Sequence, residues 1–224
     1  MPFIQLKPRE QSFISIARDL TKRLSSVVLC EGSSDVDILK AVVEEPEVNI
    51  GITDCGGIRE TYEVARYVAV LAYQSRRLRS LGILVNADEF SYEDRARSLL
   101  DSLVAHGIPI KGLERVDKGI FKSSFRLHTR RYSVLVCIAG VKELPLSRHC
   151  IEDHIVSALL MDERISRKEL EGISSSKDFL ESRNICIEDV IMTLRREKYE
   201  LFEKVFQRLR MFVKLLANLS IRGI

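Results

Sequence analysis

LSSVVLCEGSSD (residues 24–35) and LGILVNADEF (residues 81–90) decide the fold. Each is a short uncharged apolar run that stops abruptly on acidic and small polar residues. Runs of this length, bounded by turn-forming residues, suit strands buried on both faces of a parallel sheet. Leu24–Cys30 and Leu81–Val85 therefore read as strands, closing on Glu31 and on Asn86-Ala87-Asp88. Between them, Asp35 to Glu44 reads as a helix with Val36, Leu39 and Val43 on one face. Val48–Ile52 alternates with period two, as a strand does, and Asp54-Cys55-Gly56-Gly57 is a turn. Arg59 to Arg79 is a second helix, with Val64, Tyr67, Val68 and Leu71 at i, i+3, i+4 and i+7.

Further along, Ser91 and Asp94 form a capping-box pattern. The helix they open is faced by Ala96, Leu99, Leu100, Leu103 and Val104, and Gly107 ends it. Tyr132–Ala139 is a fourth strand and Ile151–Met161 a helix. The Pro109–Arg130 segment reads as basic and irregular, with room for a short strand at Ile108–Leu113. Strands alternating with helices give an α/β fold: an open, mainly parallel sheet of four or slightly more strands, with helices on both faces. After Met161 the pattern changes. Ser174-Ser175-Ser176 is a loop or N-cap, and Glu188–Ser220 reads as one long amphipathic helix, or two with a break. Its stripe comprises Val190, Ile191, Leu194, Leu201, Phe202, Val205, Phe206, Leu209, Phe212, Val213 and Leu216. Residues 1–165 are taken as the α/β domain and 166–224 as a helical extension. The stripe either packs on the domain's own sheet or serves a homodimer or partner protein.

Of 224 residues, 46% are hydrophobic, which excludes global disorder. No run approaches the ~20 apolar residues of a membrane span, and the N-terminus lacks the apolar centre of a secretory signal. The five cysteines show no CxxC or zinc spacing, which argues against structural zinc and for a reducing compartment. The expectation is a cytoplasmic protein with no membrane partner. No GxxxxGK[ST] appears, so no P-loop is expected. The net charge of +3 says little, but its distribution says more. Arg115, Lys118, Lys122, Arg126, Arg130 and Arg131 face a single acid, Asp117, and eight Lys/Arg against three Glu follow from Arg195. These are either solvated faces or contacts to a polyanion. On the second reading Lys118, Lys122, Arg126, Arg130 and Arg131 are candidate nucleic-acid contacts.

Ligands of open parallel sheets bind beyond the carboxyl ends of the strands. Here those ends carry Glu31 and Asp35, Asp54, Asn86 with Asp88 and Glu89, and Glu143. Several oxygen donors with no Cys or His required is the composition of a hard-cation site. VVLCEGSSD resembles the first motif of the Toprim domain, an apolar strand closing on Glu-Gly with Asp four residues after the Glu. LGILVNADEF resembles the second, an apolar strand closing on Asp-x-Asp. DCGG is similar to the family's Gly-bearing turn. HCIEDHIVSALL is similar to the acidic helix start of small Toprim-like proteins and of the Toprim part of OLD-family nucleases. The resemblance covers residues 24 to 160.

It implies a strand order of 2-1-3-4, with Glu31 beside Asn86 and Asp88. It also implies Mg2+ (or Mn2+) and phosphoryl transfer on a nucleic-acid backbone, most simply a nuclease. Carried over residue by residue, Glu31 and Asp88 are catalytic, and Glu31, Asp35, Asn86, Asp88 and Glu152 hold metal. Asn86 stands where the family has the first Asp, offering a carbonyl oxygen but no charge. That opens an alternative: a catalytically weakened scaffold that binds nucleic acid or protein. Asp35 divides between helix cap and ligand, and Glu152 and Asp153 between helix-dipole partners and ligands. His149 and His154 flank this segment as proton shuttles or packing residues. A receiver-like or HAD-like phosphoacceptor domain would put Asp where Glu31 stands.

Overall fold

The computed structural model describes residues 3–6, 13–43 and 48–221. The strands are β1 (Ile4–Gln5), β2 (Ser26–Cys30), β3 (Ile50–Asp54), β4 (Ser80–Asn86), β5 (Ile110–Asp117), β6 (Ile120–Leu127) and β7 (Arg130–Ala139). The helices are α1 (Phe13–Lys22), α2 (Ser33–Val42), α3 (Ile58–Gln74), α4 (Tyr92–Ala105), α5 (Asp153–Met161), α6 (Ser176–Ser182), α7 (Ile187–Glu197) and α8 (Tyr199–Ile221). All seven strands form one sheet in the order β1-β3-β2-β4-β7-β6-β5. Pairing is parallel from β1 to β7 and antiparallel for β7-β6-β5. The central four, β3-β2-β4-β7, have the expected 2-1-3-4 order, which doubly wound folds of other functions also use.

The apolar strands are continuous because both sheet faces are covered. Along β7, Leu135, Cys137 and Ala139 join a core with α2, α5, α7 and α8, while Val134, Val136 and Ile138 join another with α3 and α4. Helix α8 lies directly on the sheet. A Cβ at Gly82, in the middle of β4, would stand 2.9 Å from both Phe212 and Leu216, so the close approach requires glycine there. Near the start of β4, the buried hydroxyls of Ser26, Ser80 and Ser220 bond one another, which satisfies three polar groups and pins the last turn of α8. Most of the predicted stripe, including Val190, Phe206, Leu209, Phe212 and Leu216, is thereby buried within the chain rather than left free for a partner.

Several expectations need correction. The Pro109–Arg130 segment is not irregular; it supplies β5 and β6. Phe121, Ser123 and Phe125 alternate inward along β6 and Tyr132 continues that face on β7, with Phe125 and Tyr132 stacked at 5.1 Å. The helix predicted from Asp35 starts at Ser33, and its predicted end at Glu44 lies outside the described residues. The second strand runs to Asp54, and α3 stops at Gln74, leaving 75–79 as a loop. Tyr67 and Val104, assigned to buried faces, are exposed. On α3 the inner face is Thr61, Ala65, Ala69 and Ala72 together with Val68 and Leu71, which the spacing had placed there. Of the two alternatives for the C-terminal pattern, the one with a break holds: it divides at Lys198 into α7 and α8. No helix among the described residues is long and apolar enough to cross a membrane.

Candidate functional site

Parallel pairing of β2 with β4 brings Glu31 to Asn86. The Glu31 N–H donates to Leu84 O at 3.1 Å, and the Asn86 N–H donates to Glu31 Oε2 at 3.1 Å. Asp88, two residues on, adopts a left-handed φ of +50°. Non-glycine residues occupy that region uncommonly, and Asp does so more readily than most. The conformation is held by a two-bond bridge to His149: Asp88 N–H to His149 O at 2.9 Å and His149 N–H to Asp88 O at 3.1 Å. Lys142 Nζ donates to the same Asp88 carbonyl at 3.0 Å.

Between the two acids lies Arg95, from the first turn of α4, whose cap is Ser91 accepting from the Asp94 N–H. One Arg95 nitrogen stands 2.9 Å from Asp88 Oδ2 and 3.9 Å from Glu31 Oε2, while Nε donates to Asn86 O at 2.9 Å. The guanidinium thus fills a position that two strand-end carboxylates share.

The loop bracketing Asp88 is built around Asp153. Its Oδ2 accepts from the Val141 N–H at 2.9 Å and sits 2.7 Å from His149 Nδ1. Gly140, at φ +119°, lets this loop close: a Cβ there would be 2.8 Å from the His149 Cβ. Arg208, from α8, donates to Gly140 O at 2.8 Å and lies over the Tyr92 ring. His154 points elsewhere: its Nδ1 is 2.9 Å from Val205 O, and burial holds its pKa near 4, so the ring is neutral.

Charge is poorly compensated at this edge. Asp35 is 2% exposed and Glu152 4%. Burial pushes the Asp35 carboxyl up to about 8, and the nearby Glu152 and Glu31 charges add to that against the pull of the Gly32 N–H bond. Burial also raises Glu31, opposed by the Asn86 N–H; the Asp88 charge raises it further and Arg95 offsets part. Asp35 is at the third helical position of α2, accepting from the Gly32 N–H at 2.7 Å, so its capping contact is real although it is not the N-cap itself.

Of the residues expected to hold metal, Glu31 and Asp88 converge on one position, while the Glu31 and Glu152 charges both act on Asp35, deeper in the fold. The Asn86 side-chain oxygen is committed elsewhere, accepting the Ile151 N–H at 2.9 Å. Among the described residues, no three His, Cys, Asp or Glu side chains are arranged as a metal-ligand group. Glu31 and Asp88 offer two carboxylates about the position now taken by the Arg95 guanidinium, too few for a pair of ions.

The candidate nucleic-acid contacts do not all come together. Lys118 sits in the β5–β6 turn beside Ile138, near the acidic end, and pairs with Glu143. Lys122 lies opposite Glu114. Arg126, Arg130 and Arg131 are at the amino end of β7, about 20–30 Å from the acids at ~3.3 Å per strand residue. Sequence reading missed Arg95, Lys142 and Arg208. For Arg95 the signal was available: a helix that starts just after the acidic strand end turns its first residues toward that edge. Comparison of the chain with family models, with curated proteins and with solved structures gives no match in any of the three.

Proposed function

We propose that the chain is a Toprim-like protein of nucleic-acid phosphodiester chemistry, most simply a nuclease, with Glu31 and Asp88 holding one Mg2+ or Mn2+ against phosphate. One observation carries the reading: two carboxylates from adjacent parallel strands share a single cationic position, inside an edge whose Asp35 and Glu31 are already raised by burial and mutual repulsion. A divalent cation bound there would polarise a phosphoryl oxygen and stabilise charge developing on the leaving oxygen. The chain's own part is positional. The Asn86 N–H orients Glu31, the His149 bridge fixes Asp88, and Lys142 adds positive charge beside it.

The test is cleavage of labelled single- and double-stranded DNA and RNA with Mg2+ or Mn2+. Activity is expected in wild type and a drop of at least a hundredfold in Glu31→Gln and in Asp88→Asn (roughly the scale of one lost acid/base or charge-stabilising group). Folded wild-type protein that cleaves none of these substrates with either metal overturns the reading. A second reading, a weakened scaffold that binds without chemistry, is favoured by Asn86: its oxygen serves the Ile151 N–H and it brings no charge. Asn86→Asp separates the two, because Asp retains an acceptor for Ile151 and restores the missing charge. Gain of cleavage only in that variant supports the weakened scaffold.

A further inference from the structure

We propose that the amino edge of the sheet, opposite the acids, is a docking surface for single-stranded nucleic acid, centred on Tyr73 and His128 and ringed by Arg76, Arg77 and Arg130. Two segments meet there: the loop from α3 to β4 and the β6–β7 turn. Three bonds staple them: Tyr132 Oη to Ala72 O at 2.8 Å, Arg130 to Ser75 O at 2.8 Å, and Ser133 N–H to Arg79 O at 3.1 Å. Neither segment carries a counter-charge, since there is no Asp or Glu from Val64 to Ala87 or from Lys118 to Lys142. Arg126 stands directly opposite Arg131 across the hairpin, a like-charge pairing that a sheet tolerates at a cost. A cleft of about 260 Å³ opens between Arg79, Arg130, Arg131, Ser133 and Leu219, wide enough to admit a phosphate.

The aromatic residues select the partner. Tyr73 is 53% exposed, with its ring 4.8 Å from that of His128. Exposed rings interleaved with arginines suit stacked bases and the backbone phosphates between them. A duplex hides its base faces, so the occupant is a single strand. The surface is about 20 Å from Glu31, the length of β4, and needs neither metal nor catalysis.

The experiment is fluorescence anisotropy of a labelled 20-nucleotide oligothymidine in chelator across a salt series. Binding is expected to weaken steeply with salt. Arg76→Gln/Arg77→Gln should flatten the log–log salt slope by about 1.4, at ~0.7 for each phosphate contact on a single strand. Tyr73→Ala should weaken binding roughly tenfold with the slope unchanged. All three residues are exposed, and far-ultraviolet circular dichroism checks that the variants fold. A control pair on the α5 side, Arg164→Gln/Arg167→Gln, should bind as wild type. The proposal is overturned by an unchanged slope in the Arg76/Arg77 variant, an equal loss in the control pair, tighter binding to duplex of the same length or to anionic vesicles, or loss of binding in chelator. Cleavage without this binding, or this binding without cleavage, separates failure of this surface from failure of the acidic edge.

Discussion

At the carboxyl ends of β2 and β4, Glu31, Asp35 and Glu152 are held in or near the core and Asp88 is tied down by backbone bonds, with the Arg95 guanidinium drawn in among them. At the amino ends of β4 and β7 the charge has the opposite sign and the opposite setting: Arg76, Arg77, Arg126, Arg130 and Arg131 stand in solvent. Burial makes the difference. A charge removed from water must be matched by partners or shift its protonation, whereas an exposed one is screened and costs little. The acidic end should therefore respond to mutation and pH through stability, and the basic end mainly through what it binds.

Arg95→Ala is the largest test of that contrast. It leaves two partly buried carboxylates facing each other and removes a donor to Asn86 O. A loss of about 3 kcal/mol is expected in urea unfolding with chelator present, by analogy with breaking one partner of a buried ion pair. Millimolar Mg2+ should return part of that stability to the variant and add less to wild type, where the cation must first displace the Arg95 guanidinium, because a cation that binds the folded state stabilises it by mass action. A loss below about 0.5 kcal/mol would put these acids in the same solvated class as the arginines.

The two ends were unequally legible in the sequence. The parallel strands announced themselves as uncharged runs, and a strand that ends in acid places that acid on a known edge; Glu31 and Asp88 followed from that alone. The basic hairpin did not. Phe121, Ser123, Phe125 and Leu127 alternate correctly, but Lys122 and Arg126 on the other face made the segment look like solvated loop. Tyr67 was assigned to the core by helical spacing, yet α3 packs through Ala65, Ala69 and Ala72, small residues that carry a weak hydrophobic signal. Arg95 was overlooked for a different reason, although its place just after the acidic strand end was a signal. An arginine in a first helical turn looks like any solvated charge until strand pairing supplies Glu31 across from it. The bridge from Asp88 to His149 spans some sixty residues and has no local signature at all.

A pH series sharpens the contrast next. Folded Asp35 keeps its proton up to about 8, whereas in the unfolded chain it loses it near 3.8. Between those values the folded state binds more protons, so this group's contribution is full below about 3.8 and is lost as pH rises through about 8. Asp35→Asn keeps an oxygen for the Gly32 N–H and removes the charge. It should match wild type near pH 4, draw ahead as pH rises, and exceed it above pH 8 by more than about 2 kcal/mol. The arginines do not titrate in this range, so Arg76→Gln/Arg77→Gln should track the wild-type curve throughout. If Asp35→Asn does so as well, the acidic edge is better hydrated than its burial implies.

The smallest effect concerns the arginines themselves. Arg126 faces Arg131 across β6 and β7, and like charges directly opposite oppose strand pairing by a few tenths of a kcal/mol. Arg126→Thr puts a good strand former in its place and should raise stability by about 0.4 kcal/mol at low salt. The gain should disappear near 1 M salt, where the Debye length is only ~3 Å and exposed repulsion is screened. Thermal melts of the two proteins at low and high salt read this directly. The Arg95→Ala loss, among partly buried groups, should survive the same salt. A stabilising substitution that also weakens oligonucleotide binding would mean the chain retains a destabilising pair of arginines for what they hold. An Arg126→Thr gain that persists in high salt would instead trace to strand propensity, and the electrostatic account of the basic edge would lose its support from stability.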